Sequence, residues 1–322
     1  MTRFAYSISV LGLALIAACL VAMPTVVHAS EAEQKSILVT GASTGIGRNL
    51  AETLAEAGHH VYAGARKQED LDALDAIENI TAVRLDVTKQ DEIDAVVELI
   101  RERGTGLYAL VNNAGIGDGG PILDTPIDVQ TLVYDVNVEG VYRTTRAFAP
   151  LVMESKGRIA TTGSIAGTLS WPGGSAYAGS KHWIEAFTDA LAGEMAPHDV
   201  QVSVIEPGNY QSRIRRSGAL RRQARVVAEG GVITPEMQQE YEQTEARELS
   251  YKSPDEVSAA FMHALFDDQP LRRYMVVPSA DEQAMTINTK IQQLVQLNQW
   301  GPYSYSLEEL QAMLEEAMSG SD

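Results

Sequence analysis

The sequence predicts an α/β fold, a doubly wound parallel sheet of about seven strands with helices on both faces. Three observations carry this expectation. From Ser36 onward, short β-branched runs alternate with amphipathic stretches, the rhythm of right-handed βαβ units. The runs are continuously apolar, as strands covered on both faces are. A glycine-rich turn, "TGASTGIG" at 40–47, sits where the first run gives way to the first amphipathic stretch. That strand-to-helix context is what gives a glycine motif meaning.

In order, strands are expected at 36–40, 60–65, 82–87, 108–112, 158–163, 200–205 and 274–278. Helices are expected at 46–57, 90–103, 128–153, 176–196 and 254–267. Two stretches break the rhythm. Residues 209–252 form a polar, helical insertion after the sixth strand. Residues 282–318 form a helical tail, whose last helix opens with the capping box Ser306-Leu-Glu-Glu309. The expected organisation is a leader at 1–29, an α/β domain at 36–280 that contains the insertion, and a helical extension at 281–322.

Composition narrows the function. Of 322 residues, 45% are apolar and 21% charged, ordinary values for a chain with a sizeable core. Asp and Glu outnumber Lys and Arg by 43 to 25, a formal net charge of −18. Phosphate neutralisation needs surplus Lys and Arg, so nucleic acid is not an expected partner. Cys19 is the only cysteine, and the histidines show no metal-ligand spacing. A mature chain without the leader would hold no cysteine, and no metal is expected.

The leader has its own pattern. Arg3 precedes an uninterrupted apolar or small run at 8–23, and Val27-His28-Ala29 fits signal cleavage after Ala29. Ile16-Ala17-Ala18-Cys19 also resembles a lipoprotein box, and 8–27 is long enough to remain as a membrane anchor. The expectation is export to the periplasm or membrane attachment, with a cytoplasmic location as the alternative.

Tyr177 and Lys181 lie four apart in a helical stretch and so emerge on one face. A tyrosine with its usual pKa of about 10 is a poor acid or base near neutrality. A nearby ammonium lowers that value and makes the pair a usable general acid/base. The GxxxGxG turn, "NNAG" at 112–115 and Tyr177-Ala-Gly-Ser-Lys181, in that order, resemble the short-chain dehydrogenase/reductase family, NAD(P)-dependent enzymes of Rossmann fold. Asn137, Ser164 and Pro207-Gly208 fall in the family's order, and the resemblance spans about residues 36–278.

The resemblance implies roles. Tyr177 would protonate a carbonyl oxygen during reduction, and Lys181 would also hold the nicotinamide ribose. Ser164 would hydrogen-bond the substrate oxygen, and Asn137 would hold a water linking Lys181 to solvent. Cofactor contacts would come from Gly41, Ser43, Thr44, Gly45, Ile46 and Gly47, from Asp86 at the end of the third strand and Val87, and from Asn113, Ala114 and Gly115. Pro207, Gly208 and Ser212 would complete them, with Ser212 where the family usually carries Thr. Asn112 is expected to tie neighbouring strands together.

The second strand ends "VYAGARKQED" (61–70), with Ala65 and Arg66 where an NAD-type enzyme carries an acid. A guanidinium can grip a 2′-phosphate, so NADP(H) is favoured over NAD(H), with Arg66 as the main determinant. The resemblance also implies that 36–280 is an NAD(P)-binding catalytic domain with the insertion 209–252 as a lid over the substrate, and this insertion holds arginines 213, 215, 216, 221, 222 and 225. They fit an anionic substrate, an anionic membrane surface, or a solvated helix paired with the Glu-rich stretch 236–248. Ile214, Leu220, Val226, Val227, Ile233 and Met237 suggest an apolar cover and a bulky apolar alcohol or ketone. The expected function is hydride transfer between NADP(H) and a small-molecule carbonyl/alcohol substrate. The alternatives are a non-catalytic redox-sensing module and a membrane-surface module. The resemblance alone implies a homodimer or homotetramer.

Overall fold

The computed structural model describes residues 34–320. The leader reading, with Cys19 and the apolar stretch 8–27, lies outside the described residues. Strands β1 (Ser36–Val39), β2 (His60–Ala65), β3 (Ile80–Arg84), β4 (Ala109–Asn112), β5 (Arg158–Thr162), β6 (Gln201–Pro207) and β7 (Arg273–Val276) form one sheet. Its order is β3-β2-β1-β4-β5-β6-β7, and every neighbouring pair is parallel. The order reverses between β1 and β4. At such a switch point the carboxyl ends of the strands open a crevice for ligands.

The helices that follow the first strands are α1 (Gly45–Glu56), α2 (Gln68–Asp75), α3 (Gln90–Arg103), α4 (Ile127–Tyr134), α5 (Gly140–Glu154) and α6 (Ser175–Met195). The insertion forms α7 (Ile214–Ala228) and α8 (Pro235–Ser250), and α9 (Asp255–Phe266) leads back to β7. The tail is α10 (Ala280–Asn298) and α11 (Leu307–Met318), the latter with the expected Ser306/Glu309 capping box. Among the described residues, no helix is long and apolar enough to cross a membrane.

Alternate residues of β1, β2, β4 and β5 feed two core layers. Ile37 and Val39 join Leu50 and Leu54 of α1 with Phe261 and Leu265 of α9. Leu38 joins Ile93 and Ile100 of α3, Phe148 and Val152 of α5 and Leu191 of α6. Full burial of one such side chain is worth about 1.5–3 kcal/mol over leaving it exposed. The sheet is therefore the rigid base from which the site's loops project.

Three expectations shift. The third strand ends at Arg84 rather than 87, because the Asp86 backbone N–H turns to Glu92 Oε2 at 2.7 Å. Helix α2 was not expected; only Leu71 and Leu74 of its eight residues are buried, too few for a visible period. The helix expected at 128–153 is α4 and α5 joined by a π-helical turn, Asp135–Glu139, with Asn137 inside it. Such turns insert one extra residue and occur frequently at functional sites.

Candidate active site

The chain turns sharply after β1. Gly41 and Gly45 have φ of 66° and 59°, a region that a Cβ makes costly. Gly47 is required by space instead. A Cβ there would lie 2.2 Å from Asn113 Nδ2 and 2.5 Å from Gly41 O. Thr44 caps α1 without a side-chain hydrogen bond, and the first turn holds no acidic residue. The first amides of α1 therefore face a cleft without an acceptor from their own cap, backed by the positive end of the helix dipole. That arrangement fits a dinucleotide pyrophosphate. The cleft has a volume of about 340 Å³ and is also lined by Ser43, Thr44 and Ile46.

A residue that sequence reasoning missed organises the second motif. Thr40 Oγ1 accepts from the N–H groups of Asn113 and Ala114, both at 3.0 Å. Asn113 Nδ2 donates to Thr40 O at 3.0 Å and Gly41 O at 3.1 Å, while its Oδ1 accepts from Thr162 Oγ1 at 3.1 Å. Asn113, not Asn112, therefore ties β1, β4 and β5 together. Asn112 anchors β4 to α5, donating to Thr145 Oγ1 at 2.9 Å and accepting from Thr144 Oγ1 at 2.7 Å. Successive strand residues face opposite sides, so the neighbours serve different layers. The available signal was a hydroxyl residue between the strand and the first glycine.

At the other end of the cleft stand Ser164, Tyr177 and Lys181. Ser164 follows β5 and is 8% exposed; its Oγ accepts from Ala166 N–H at 3.1 Å and so also caps the 3₁₀ turn Ile165–Gly167. Asn137 lies behind the cleft, 1% exposed. Its Oδ1 accepts from Ile116 N–H at 2.8 Å, and its Nδ2 donates to Ile116 O at 2.9 Å and Ser180 Oγ at 3.0 Å. It thus fastens the loop after β4 to the first turns of α6.

Lys181 is 5% exposed, and Nζ donates to Thr162 O at 2.8 Å. Burial pulls its pKa down to about 8, opposed by the Glu185 charge. Nζ lies 5.8 Å from the centre of the Tyr177 ring. Desolvation is the largest influence on Tyr177 and raises its pKa; a hydrogen bond with Ser164 and the positive charge of Arg215 oppose it. The expected lowering of the tyrosine by Lys181 is not what this arrangement gives, because the ammonium is turned to a backbone carbonyl. Ser164 and Arg215 act in its place. Trp171, 45% exposed, stands 6.4 Å from the Tyr177 ring.

Every residue expected to take part in catalysis or cofactor binding, other than Asn137, lines this one cleft, including Val87, Ala114, Gly115, Pro207, Gly208 and Ser212. Arg66 stands at its dinucleotide end, with Nη1 3.6 Å from Asp86 Oδ2. Burial pushes the Asp86 carboxyl up. The N–H and hydroxyl of Thr88 and the charge of Arg66 outweigh this and hold it below its usual value.

The lid arginines are mostly engaged with acids. Arg225 Nη1 and Arg221 Nε reach Asp118 Oδ2 at 3.0 and 3.4 Å, and Arg221 also donates to Gly117 O at 2.7 Å. The Asp118 side chain is 0% exposed. Arg216 pairs with Glu245 at 2.7 Å and Arg222 with Glu240, both acids on α8. Arg215 donates to Asn209 Oδ1 at 2.8 Å, while Arg213 lines the cleft. Of the six apolar lid residues only Ile214 lines the cleft; Leu220, Val227 and Ile233 are exposed. A helix that turns its arginines inward to acids leaves apolar residues on its outer face.

Comparison with known proteins places this geometry. Residues 35–222 match the family model described as short chain dehydrogenase. The mitochondrial D-beta-hydroxybutyrate dehydrogenase of Mus musculus is 38% identical over 193 residues, covering 57% of this chain and 56% of that protein. The chain thus spans little more than half the length of that relative. The enzyme of the same name from Bos taurus is 33% identical over 262 residues, covering 74% of this chain and 76% of that protein. A solved short chain dehydrogenase/reductase from Burkholderia phymatum, in complex with NAD, superposes with a TM-score of 0.71 at 25% identity, covering 84% of this chain and 98% of that one.

Proposed function

Because the chain belongs to the short-chain dehydrogenase/reductase family, we propose that it is an oxidoreductase moving a hydride between NADP(H) and a carbonyl/alcohol substrate. The observation that supports this best is the shared cleft: Ser164, Tyr177 and Lys181 at one end, the uncapped α1 N-terminus and Arg66 at the other. The nicotinamide, when bound, supplies or accepts the hydride. The α1 amides hold the pyrophosphate, Asp86 and Val87 flank the adenine end, and Arg66 grips the 2′-phosphate. Lys181 holds ribose hydroxyls. In the reducing direction Tyr177 gives its hydroxyl proton to the substrate oxygen, and Ser164 donates a hydrogen bond to that oxygen as charge develops there. Asn137, whose amide is committed to Ile116 and Ser180, keeps the loop after β4 in place behind the cleft.

Trp171 beside Tyr177 and Ile214 on the lid support a bulky, apolar substrate. One observation favours a second reading. The charge of Arg215 reaches Tyr177, which suits a hydroxy acid or keto acid, the class in the name of the mouse relative. The leader supports export or membrane attachment, and a homodimer or homotetramer follows by analogy alone.

The decisive test is fluorescence titration with NADPH and NADH, followed by a screen of apolar ketones and keto acids with the wild type and Tyr177→Phe. The proposal requires tight NADPH binding, weaker NADH binding, and a variant that binds NADPH without turnover. A variant that turns over at the wild-type rate removes Tyr177 from its role.

A further inference from the structure

Two carboxylates that the proposed chemistry does not use lie directly behind it. Glu206, next to last in β6, is 6% exposed. A Cβ on Gly163, the residue before Ser164, would lie 3.4 Å from Glu206 Cγ. Glu185 is one turn beyond Lys181 on α6, and its carboxyl tucks under the 3₁₀ turn that Ser164 caps: a Cβ on Gly167 would lie 2.8 Å from Glu185 Oε1. Glu185 Oε2 accepts from Arg273 Nε at 3.0 Å. Oε1 is buried and has no hydrogen-bond partner.

A buried carboxylate oxygen without a donor is costly, and a second ionised carboxylate beside it is costlier still. A proton on Glu206 removes both costs, since the neutral acid can donate to Glu185. We propose that Glu206 carries a proton and donates it in a hydrogen bond shared with the donor-less Glu185 Oε1, and that this pair is a positioning device joining β6 to α6 beneath the Ser164 turn and Lys181. Burial first, and the Glu185 charge second, raise Glu206 to about 7. Arg273 on β7 and Lys290 on α10 face it and oppose the rise. Arg273 is itself shared with Asp189, at 2.7 Å. Lys181, on the helix of Glu185, already feels that carboxylate.

Loss of the shared proton places two negative charges between β6 and α6. The turn carrying Ser164 then loses its backing, and Lys181 gains a stronger counter-charge. The positional consequence rests on the function proposed above; the shared proton does not.

The test compares the wild-type chain with Glu206→Gln, whose amide can donate to Glu185 as the acid does, and with Glu185→Gln, whose amide can donate to Glu206. Infrared titration should show a protonated carboxyl in the wild type, ionising near pH 7, and lacking in Glu206→Gln. Wild-type thermal stability should fall between about pH 4.5, the ordinary glutamate value, and about pH 7, the raised one; Glu206→Gln should lose that slope and Glu185→Gln should lessen it. In an active preparation, log kcat/KM should show an ionisation near pH 7 that Glu206→Gln removes, while its KM for NADPH is unchanged. No protonated carboxyl in the wild type, or the same stability slope in all three proteins, overturns the proposal whether or not a substrate has been found. Normal spectra and slopes with an unaltered kinetic profile would confine the pair to a structural role and overturn its positioning role.

Discussion

Gly47→Ala tests the close approach between the phosphate turn and the loop after β4. The new methyl would lie 2.2 Å from Asn113 Nδ2, so the amide has to leave. With it go two donated hydrogen bonds, to Thr40 O and Gly41 O, and the one accepted from Thr162. Each is worth about 1 kcal/mol net. The remaining contact, 2.5 Å from the Gly41 carbonyl, is with backbone that cannot rotate away, and forcing an extra carbon into such a site costs about 1–3 kcal/mol. The combined loss is on the order of 4–6 kcal/mol, a large fraction of the ~5–15 kcal/mol that typically holds a protein folded. Urea unfolding followed by circular dichroism measures it as a lower midpoint at unchanged slope. Gly193→Ala is the matched control: it lies within α6 with no atom within 4 Å of the new Cβ, and it should gain about 0.5–1 kcal/mol. If Gly47→Ala unfolds at the wild-type midpoint, the packing argument for the third glycine is wrong.

Other outcomes follow from the same geometry. Arg66→Ala should weaken NADPH by about tenfold, since a charged hydrogen bond at an exposed site is worth roughly 1.4 kcal/mol, and leave NADH unchanged in the same titration. Thr40→Val removes the acceptor for two N–H groups and should cost about 1–3 kcal/mol in urea unfolding. Asp118→Ala strands Arg221 and Arg225, and limited proteolysis should then cut faster between α7 and α8. In the wild type, hydrogen bonds and both arginines outweigh burial and hold Asp118 below its usual pKa; its stabilising effect is complete above the unfolded value and fades as pH falls through the lowered folded one. Lys181 has the opposite window. Its folded pKa of about 8 lies below its unfolded value of 10.5, so the unfolded chain binds more protons between the two and this group makes stability rise with pH there. Lys181→Met should flatten that rise in pH-dependent melting.

Much of this was legible because it is local. The glycine turn, the "NNAG" loop and the Tyr177–Lys181 pair are set by spacings of a few residues, and the sheet follows from alternating βαβ units. What stayed hidden depends on contacts distant in sequence. Pairing of the arginine-rich stretch with the Glu-rich one was among its readings, and Arg216 and Arg222 bear it out, but Asp118 meets Arg225 across 107 residues and nothing in either segment points to it. Thr40 looks like the end of a strand until Asn113 is placed against it. The orientation of Lys181 toward Thr162 is a choice among rotamers that an i,i+4 spacing leaves open. The pairing of Glu185 with Glu206 needs α6 and β6 docked, and neither residue stands out in its own segment.

The π-helical turn makes the address of Asn137 a matter of counting. An α-helix advances about 100° per residue, so removing one residue from Asp135–Glu139 would restore an unbroken helix and swing everything upstream by that angle. Tyr134 would leave its place against Gly179, where a Cβ would meet its hydroxyl at 2.6 Å, and α4 would lose its seat on α6. A substitution at Asn137 alters one side chain, whereas a one-residue deletion beside it rearranges a wall of the cleft. Chain length through this turn is therefore held as tightly as chemistry, and sequences that keep the asparagine while losing the extra residue would not keep the site.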